Sequence, residues 1–168
     1  LNFEGSASQV AGNMNNSFAG LQASVLFALK VLIDPDGPTN HGMLGPVHID
    51  APEASVVNAS FPAATAARAQ TCQRIIDVIL GALAPAVPER VIAACNGANG
   101  VATFSGEGPD GQYYLYMETI GGGAGGRSYQ DGSDGIQVHV TNTSNLPVEA
   151  LESEYPLLVE RYELVAVS

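Results

Sequence analysis

The sequence is poor in cations. Only 6 Lys and Arg stand against 17 Asp and Glu, a formal net charge of -11 over 168 residues. A nucleic-acid binder needs a basic face for the phosphates, and so does a protein held on an anionic membrane surface, so both partners are argued against. Cysteine is nearly absent. Cys72 and Cys95 make neither a disulfide framework nor a CxxC motif. Two buried thiols in a reducing compartment are expected, and no basic and apolar leader opens the chain, which points to the cytoplasm. No apolar run reaches the length of a membrane span. Tryptophan is missing and aromatics are 7%, so the core must lean on Ala, Val, Leu and Ile.

Hydrophobic residues make up 46%, enough for one domain with its own core. The chain begins at Leu1 without Met and stops at Ser168 directly after a strand-like run. A piece of a longer polypeptide is expected, with residues 1–168 forming a single segment.

Apolar residues recur at spacings of three and four from Phe18 through Leu21, Val25 and Leu29 to Leu32, which predicts a helix over 18–33. Ser17 or Asn16 can cap it, and Asp34-Pro35 stops it. Pro62 to Leu83 predicts a second helix, with Ser60 as cap, Pro62 in the first turn and an apolar stripe through Ile75, Ile79 and Leu83. Gly81 in it suggests a close backbone contact, and Arg68 and Arg74 read first as surface partners of Asp77 or Glu residues. Short strands are expected near Phe3 and over Val47-His48-Ile49. Val101–Ser105 and Gln112–Glu118 read as a hairpin, with Tyr114, Tyr116 and Glu118 on one face. Gly135–Thr141 predicts a strand with Ile136, Val138 and Val140 opposite Gln137, His139 and Thr141. A short helix within Asn145–Glu154 and a tail strand over Leu157–Val167 complete the reading. The expected class is α+β, two main helices packed on a mostly antiparallel sheet, without the alternating rhythm of a doubly wound fold.

Gly121 to Ser128 matches a phosphate-binding loop except that Arg127 replaces the Lys. That motif needs a helix to start at once, so that its amides face the phosphates. Here Tyr129 to Gly135 follows, a turn sequence with two Asp-Gly steps whose carboxylates repel phosphate. A phosphate loop is therefore rejected. The glycines retain two uses: an amide-lined nest, or close approach of another group to the backbone.

Three stretches carry a resemblance to a known family. One is Gln73-Arg74-Ile75-Ile76-Asp77 running into Leu80-Gly81-Ala82-Leu83 and Pro88-Glu89-Arg90. The second is Glu118-Thr119-Ile120 with the glycine run and Gly126-Arg127. The most specific is His139, then Thr141-Asn142-Thr143, Asn145, Pro147-Val148-Glu149, Leu151-Glu152 and Glu154-Tyr155-Pro156, continuing to Val159–Leu164. Occurring in this order across nearly the whole chain, they resemble the hydantoinase B/oxoprolinase family. Cys72 stands where Ser is expected, Gly45 where Arg is usual before Pro46, and Asn96 to Gly100 fits loosely.

The resemblance implies an internal fragment of a much longer B-type subunit. It implies ATP-dependent opening of cyclic amides such as N-methylhydantoin or 5-oxoproline. ATP and Mg belong to a partner A-type subunit or domain, and a divalent-metal site lies in the part N-terminal to this segment. In the implied reaction ATP phosphorylates the amide oxygen and water attacks the activated carbon, which calls for carboxylate or His bases and for donors to developing oxyanions. His139, Glu118 and Glu149 are the candidate catalytic residues. Arg127, Asp131, Asn142 and Asn145 are the candidate substrate contacts, Arg127 as a bidentate donor to a phosphoryl or carboxylate group. Each has a plain structural reading beside this one. His139 can donate to a neighbouring carbonyl, Asp131 and Asp134 form turns beside Gly, and Glu149 and Glu152 suit a helix N-terminus. His41, His48 and His139 are too scattered to argue a shared metal site, so no metal ligand is assigned. The alternatives are an acetone or acetophenone carboxylase-type subunit and a non-catalytic scaffold segment.

Overall fold

The computed structural model describes residues 1–97 and 100–164. In chain order it contains helix α1 (Phe18–Ile33), a 3-10 turn (His41–Leu44), helix α2 (Arg68–Leu83), strands β1 (Gly100–Glu107) and β2 (Tyr113–Ile120), and helix α3 (Val148–Glu154). The class is α+β, as expected.

α1 starts where the sequence predicts. The Ser17 hydroxyl accepts from Gly20 N at 3.2 Å, and Asp34 N closes the last turn on Lys30 O. Leu21, Val25, Ala28 and Leu32 form its buried stripe, and it meets Ile75, Ile76, Ile79 and Leu80 of α2. Val57 and Val91 close the same core. The two helices bury their stripes against each other, and the two strands form an antiparallel ribbon with Gly100 opposite Ile120 and Glu107 opposite Tyr113. β1 extends two residues further than its apolar pattern, so the turn is made by residues 108–112, closed by Gly108 N to Gln112 O at 2.7 Å. Tyr116 is buried on the ribbon, stacked on Phe104 and packed on Tyr155 just beyond α3.

α2 begins at Arg68, not at Pro62, and Ala67 caps it without a side-chain bond. The polar N-terminal loop explains the difference. Ala67 N donates to Asn13 O at 2.9 Å, and the Asn15 amide donates to Ala64 O at 2.9 Å. Backbone groups of residues 64–67 are thus held by the loop rather than by a helical ladder. Asn15 is fully buried and also bonds Val10 and Gly12, which makes this loop a fixed part of the core edge. At Gly81 nothing lies within 4 Å of where a Cβ would be, so the expected close contact is not there.

Among the described residues, the strands predicted outside the hairpin are replaced by irregular chain. Near Phe3 there is one parallel bridge, Asn2 to Asp50, with His48 exposed between half-buried Val47 and Ile49. Residues 135–141 form no strand, and His139 and Val140 have φ of 39° and 24°. Side chains take the bonds a ladder would take. Gln73 Nε2 donates to Val138 O at 3.3 Å and to Thr141 Oγ1 at 3.0 Å, and Gln137 Nε2 donates to Thr119 O at 3.0 Å. The tail is irregular through Leu164, with Val159 N bonded to Glu152 Oε1 at 2.9 Å. The last residues of the predicted tail strand, 165–167, lie outside the described residues.

The glycine run is structural. Ala93 N donates to Gly126 O at 2.8 Å on one side, and Ala124 pairs with Ser133 on the other. A Cβ at Gly125 would sit 2.1 Å from Ala93 O, and Gly123 has φ +116° with Ser133 O on its open side. Only glycine lets three backbones approach this closely. No helix follows Ser128, so the rejection of a phosphate loop stands.

Candidate functional site

α2 presents Gln73 and Asp77 one turn apart, and Arg74 one turn before Asp77 on the adjoining face. Asp77 is the centre of a buried polar cluster. Its Oδ1 lies 2.9 Å from His139 Nε2 and accepts from Cys95 N at 3.3 Å. Its Oδ2 accepts from the Cys95 thiol at 3.3 Å and from the Arg74 guanidinium. The side chains of His139 and Asp77 are 5% and 7% exposed. Arg74 also donates to Cys95 O and Sγ at 3.3 and 3.2 Å, from a side chain that is 45% exposed. Phe27 of α1 sets its ring edge against His139 at 6.0 Å and 74°. Burial, reinforced by the Asp77 carboxylate, pushes the Cys95 thiol above its ordinary value, so it remains protonated at neutral pH. One donor atom each from Asp77, Cys95 and His139 lies within 4.8 Å of the others, a grouping suited to a divalent cation.

A cleft of about 410 Å³ opens beside this cluster's chain segment. Asn13, Gln70, Thr119, Thr141, Asn142 and Thr143 line it with uncharged donors and acceptors. It runs between the start of α2, the end of the ribbon and residues 140–143.

The remaining candidates scatter around these two features. Glu118 is half-buried on β2, accepts from the Tyr116 hydroxyl and precedes Thr119 of the cleft. That bond, with burial, pushes Tyr116 up to about 12. Asn142 is exposed on the cleft wall. Asn145 is exposed and donates to the Tyr162 hydroxyl. Arg127 and Asp131 are exposed at the tip of the glycine turn, Arg127 donating to the Tyr129 hydroxyl at 3.1 Å. Glu149 is exposed in the first turn of α3, where its charge suits the helix dipole. The structure brings together His139, Asp77 and Cys95. Sequence reasoning selected only His139 of these, because Asp77 lies 62 residues from His139 and 18 from Cys95 along the chain. The available signal was Gln73, a polar residue inside an Ile-rich buried face, since such a residue requires buried partners.

The fold and this cluster define an α+β segment built around a buried Asp–His pair on a helix-packed core. The model of the hydantoinase B/oxoprolinase family matches residues 1–168, and the chain belongs to that family. A protein from Pseudomonas sp. strain NS671, named as the putative B-type subunit of a D-/L-hydantoinase, is 41% identical over 76% of this chain and 21% of its own length. The 5-oxoprolinase 1 of Arabidopsis thaliana is 36% identical over 98% of this chain and 12% of its own length. Among solved structures, the ATP-dependent caprolactamase from Pseudomonas jessenii superposes with a TM-score of 0.73 at 25% identity, over 95% of this chain and 29% of that one. The chain thus spans less than a third of each of these proteins. No helix among the described residues is long and apolar enough to cross a membrane.

Proposed function

We propose that this chain is part of the B-type subunit of an ATP-dependent cyclic amide hydrolase that opens a lactam or hydantoin ring in the cytoplasm. The likeness to the caprolactamase over 95% of the chain carries this reading, and the hydantoinase and oxoprolinase relatives support it. ATP with Mg on a partner A-type subunit would activate the ring amide, and the divalent metal of the complete subunit would lie outside this segment. The neutral, amide- and hydroxyl-lined cleft suits an uncharged cyclic amide, because each polar atom of such a ring needs a partner once desolvated. In this scheme Asn142 contacts substrate in the cleft, and Asn145, Arg127 and Asp131 are further candidate contacts that lie outside the cleft lining. His139, Glu118 and Glu149 are the proton-handling candidates.

The burial of His139 favours a second reading for that residue. Held by Asp77, it fixes residues 138–142 against α2 and positions Asn142 without touching substrate. The test is turnover of the complete two-subunit enzyme carrying His139→Ala or Glu118→Gln, with ring opening, ADP release and assembly each measured. Loss of ring opening with intact assembly supports the catalytic roles. Near-normal turnover in both variants replaces them with the scaffold reading.

A further inference from the structure

We propose that Asp77, Cys95 and His139 together hold a divalent metal ion of the zinc type. The donor set is a carboxylate oxygen, a thiol sulfur and an imidazole nitrogen, the mixture that zinc takes in tetrahedral sites. The Asp77 oxygens lie 2.9 Å from His139 Nε2 and 3.3 Å from Cys95 Sγ, and one donor atom from each of the three residues fits within 4.8 Å. Zinc bonds of about 2.0–2.3 Å space tetrahedral donor atoms roughly 3.3–3.7 Å apart. The Asp77 pairs therefore need shifts of a few tenths of an ångström, and the His139–Cys95 pair a closure of up to about an ångström, to admit the ion. The three donors come from three segments of the chain. α2 carries Asp77, Phe27 orients the His139 ring, and Gln73 pins residues 138 and 141. Three protein ligands leave a fourth position for water or another small donor, which is the pattern of an open zinc site.

The site already stabilises a cation. The Arg74 guanidinium bonds Asp77 and lies 3.2 Å from Cys95 Sγ and 3.3 Å from Cys95 O. With its side chain 45% exposed, Arg74 can turn into solvent as the ion enters. On binding, the Cys95 S–H bond breaks, its sulfur pair bonds the metal and one proton passes to solvent. Metal binding at these three side chains does not depend on which reaction the complete protein performs.

The test uses the metal-stripped full-length protein titrated with Co²⁺. An intense near-ultraviolet thiolate-to-cobalt band is expected, lost in Cys95→Ser and kept in Cys72→Ser. Arg74→Gln, which removes the competing cation, should tighten Co²⁺ binding by about tenfold. Without any substitution, saturating Zn²⁺ should slow alkylation of Cys95 roughly tenfold and leave Cys72 unaffected. A band of equal strength in the wild type and in Cys95→Ser, or no band in either, overturns the site. So does alkylation of Cys95 at an unchanged rate under Zn²⁺.

Discussion

The imidazole of His139 reaches the carboxylate of Asp77 at 2.9 Å across 62 residues of chain. Both side chains are almost fully buried, and Arg74 and Cys95 occupy the other oxygen. A buried polar group that loses its partner keeps its desolvation cost without compensation. His139→Ala in the full-length protein should therefore lower the unfolding free energy by about 1–3 kcal/mol. A urea titration at unchanged slope measures it. A loss below about 0.5 kcal/mol, the range of ordinary surface substitutions, would show that the pair contributes little.

Gly125 and Gly81 make a matched pair of opposite sign. A Cβ at Gly125 would meet Ala93 O at 2.1 Å, and the obstruction is backbone. Gly125→Ala should destabilise by about 1–3 kcal/mol, the usual cost of forcing a methyl into filled space. At Gly81, exposed on α2, a Cβ meets nothing within 4 Å. Gly81→Ala should stabilise by about 0.5–1 kcal/mol through helix propensity alone. Thermal midpoints moving in opposite directions confirm both, and equal shifts refute the packing assigned to the glycine run.

Local signals were legible in the sequence where local physics decides. The 3–4 spacing from Phe18 to Leu32, the alternating ribbon strands and Pro147 ahead of α3 all produce the elements they predict. The start of α2 was not legible, because Asn13 and Asn15, some 50 residues away, hold the backbone of residues 64–67. Residues 135–141 show the same effect more sharply. The alternation is real, but its polar members face inward: His139 is 9% exposed, whereas Ile136 and Val140 are each 45% exposed. Asp77 and Gln73 on α2 reverse the usual sense of the pattern by giving His139 and Thr141 buried partners. The site was visible through one of its members only, since nothing local links Asp77, Cys95 and His139.

Tyr116 and Glu118 predict a stability change in alkali. The Tyr116 hydroxyl donates to Glu118, which holds its ionisation up at about 12, above the ordinary value near 10. The folded state favours the neutral phenol. Its contribution is thus fully present below about pH 10 and is lost as pH rises through about 12. Tyr116→Phe should remove this dependence, so the variant's denaturation midpoint should fall less steeply over that window than the wild type's. Parallel curves would show that the bond to Glu118 does not survive in solution.

The cleft lined by Asn142, Gln70 and Thr143 yields a kinetic prediction under the proposed function. Uncharged donors and acceptors that contact the ring away from the reacting carbon bind ground state and transition state alike, so their loss raises KM and spares kcat. Asn142→Leu in the complete two-subunit enzyme should raise KM for the cyclic amide by about tenfold, the worth of one hydrogen bond of about 1.4 kcal/mol. Its exposure means that the substitution leaves folding stability within about 0.5 kcal/mol. A fall in kcat at constant KM would instead move Asn142 to the reacting centre. No change in either constant would place the ring outside this cleft and leave residues 140–143 a structural role beside His139.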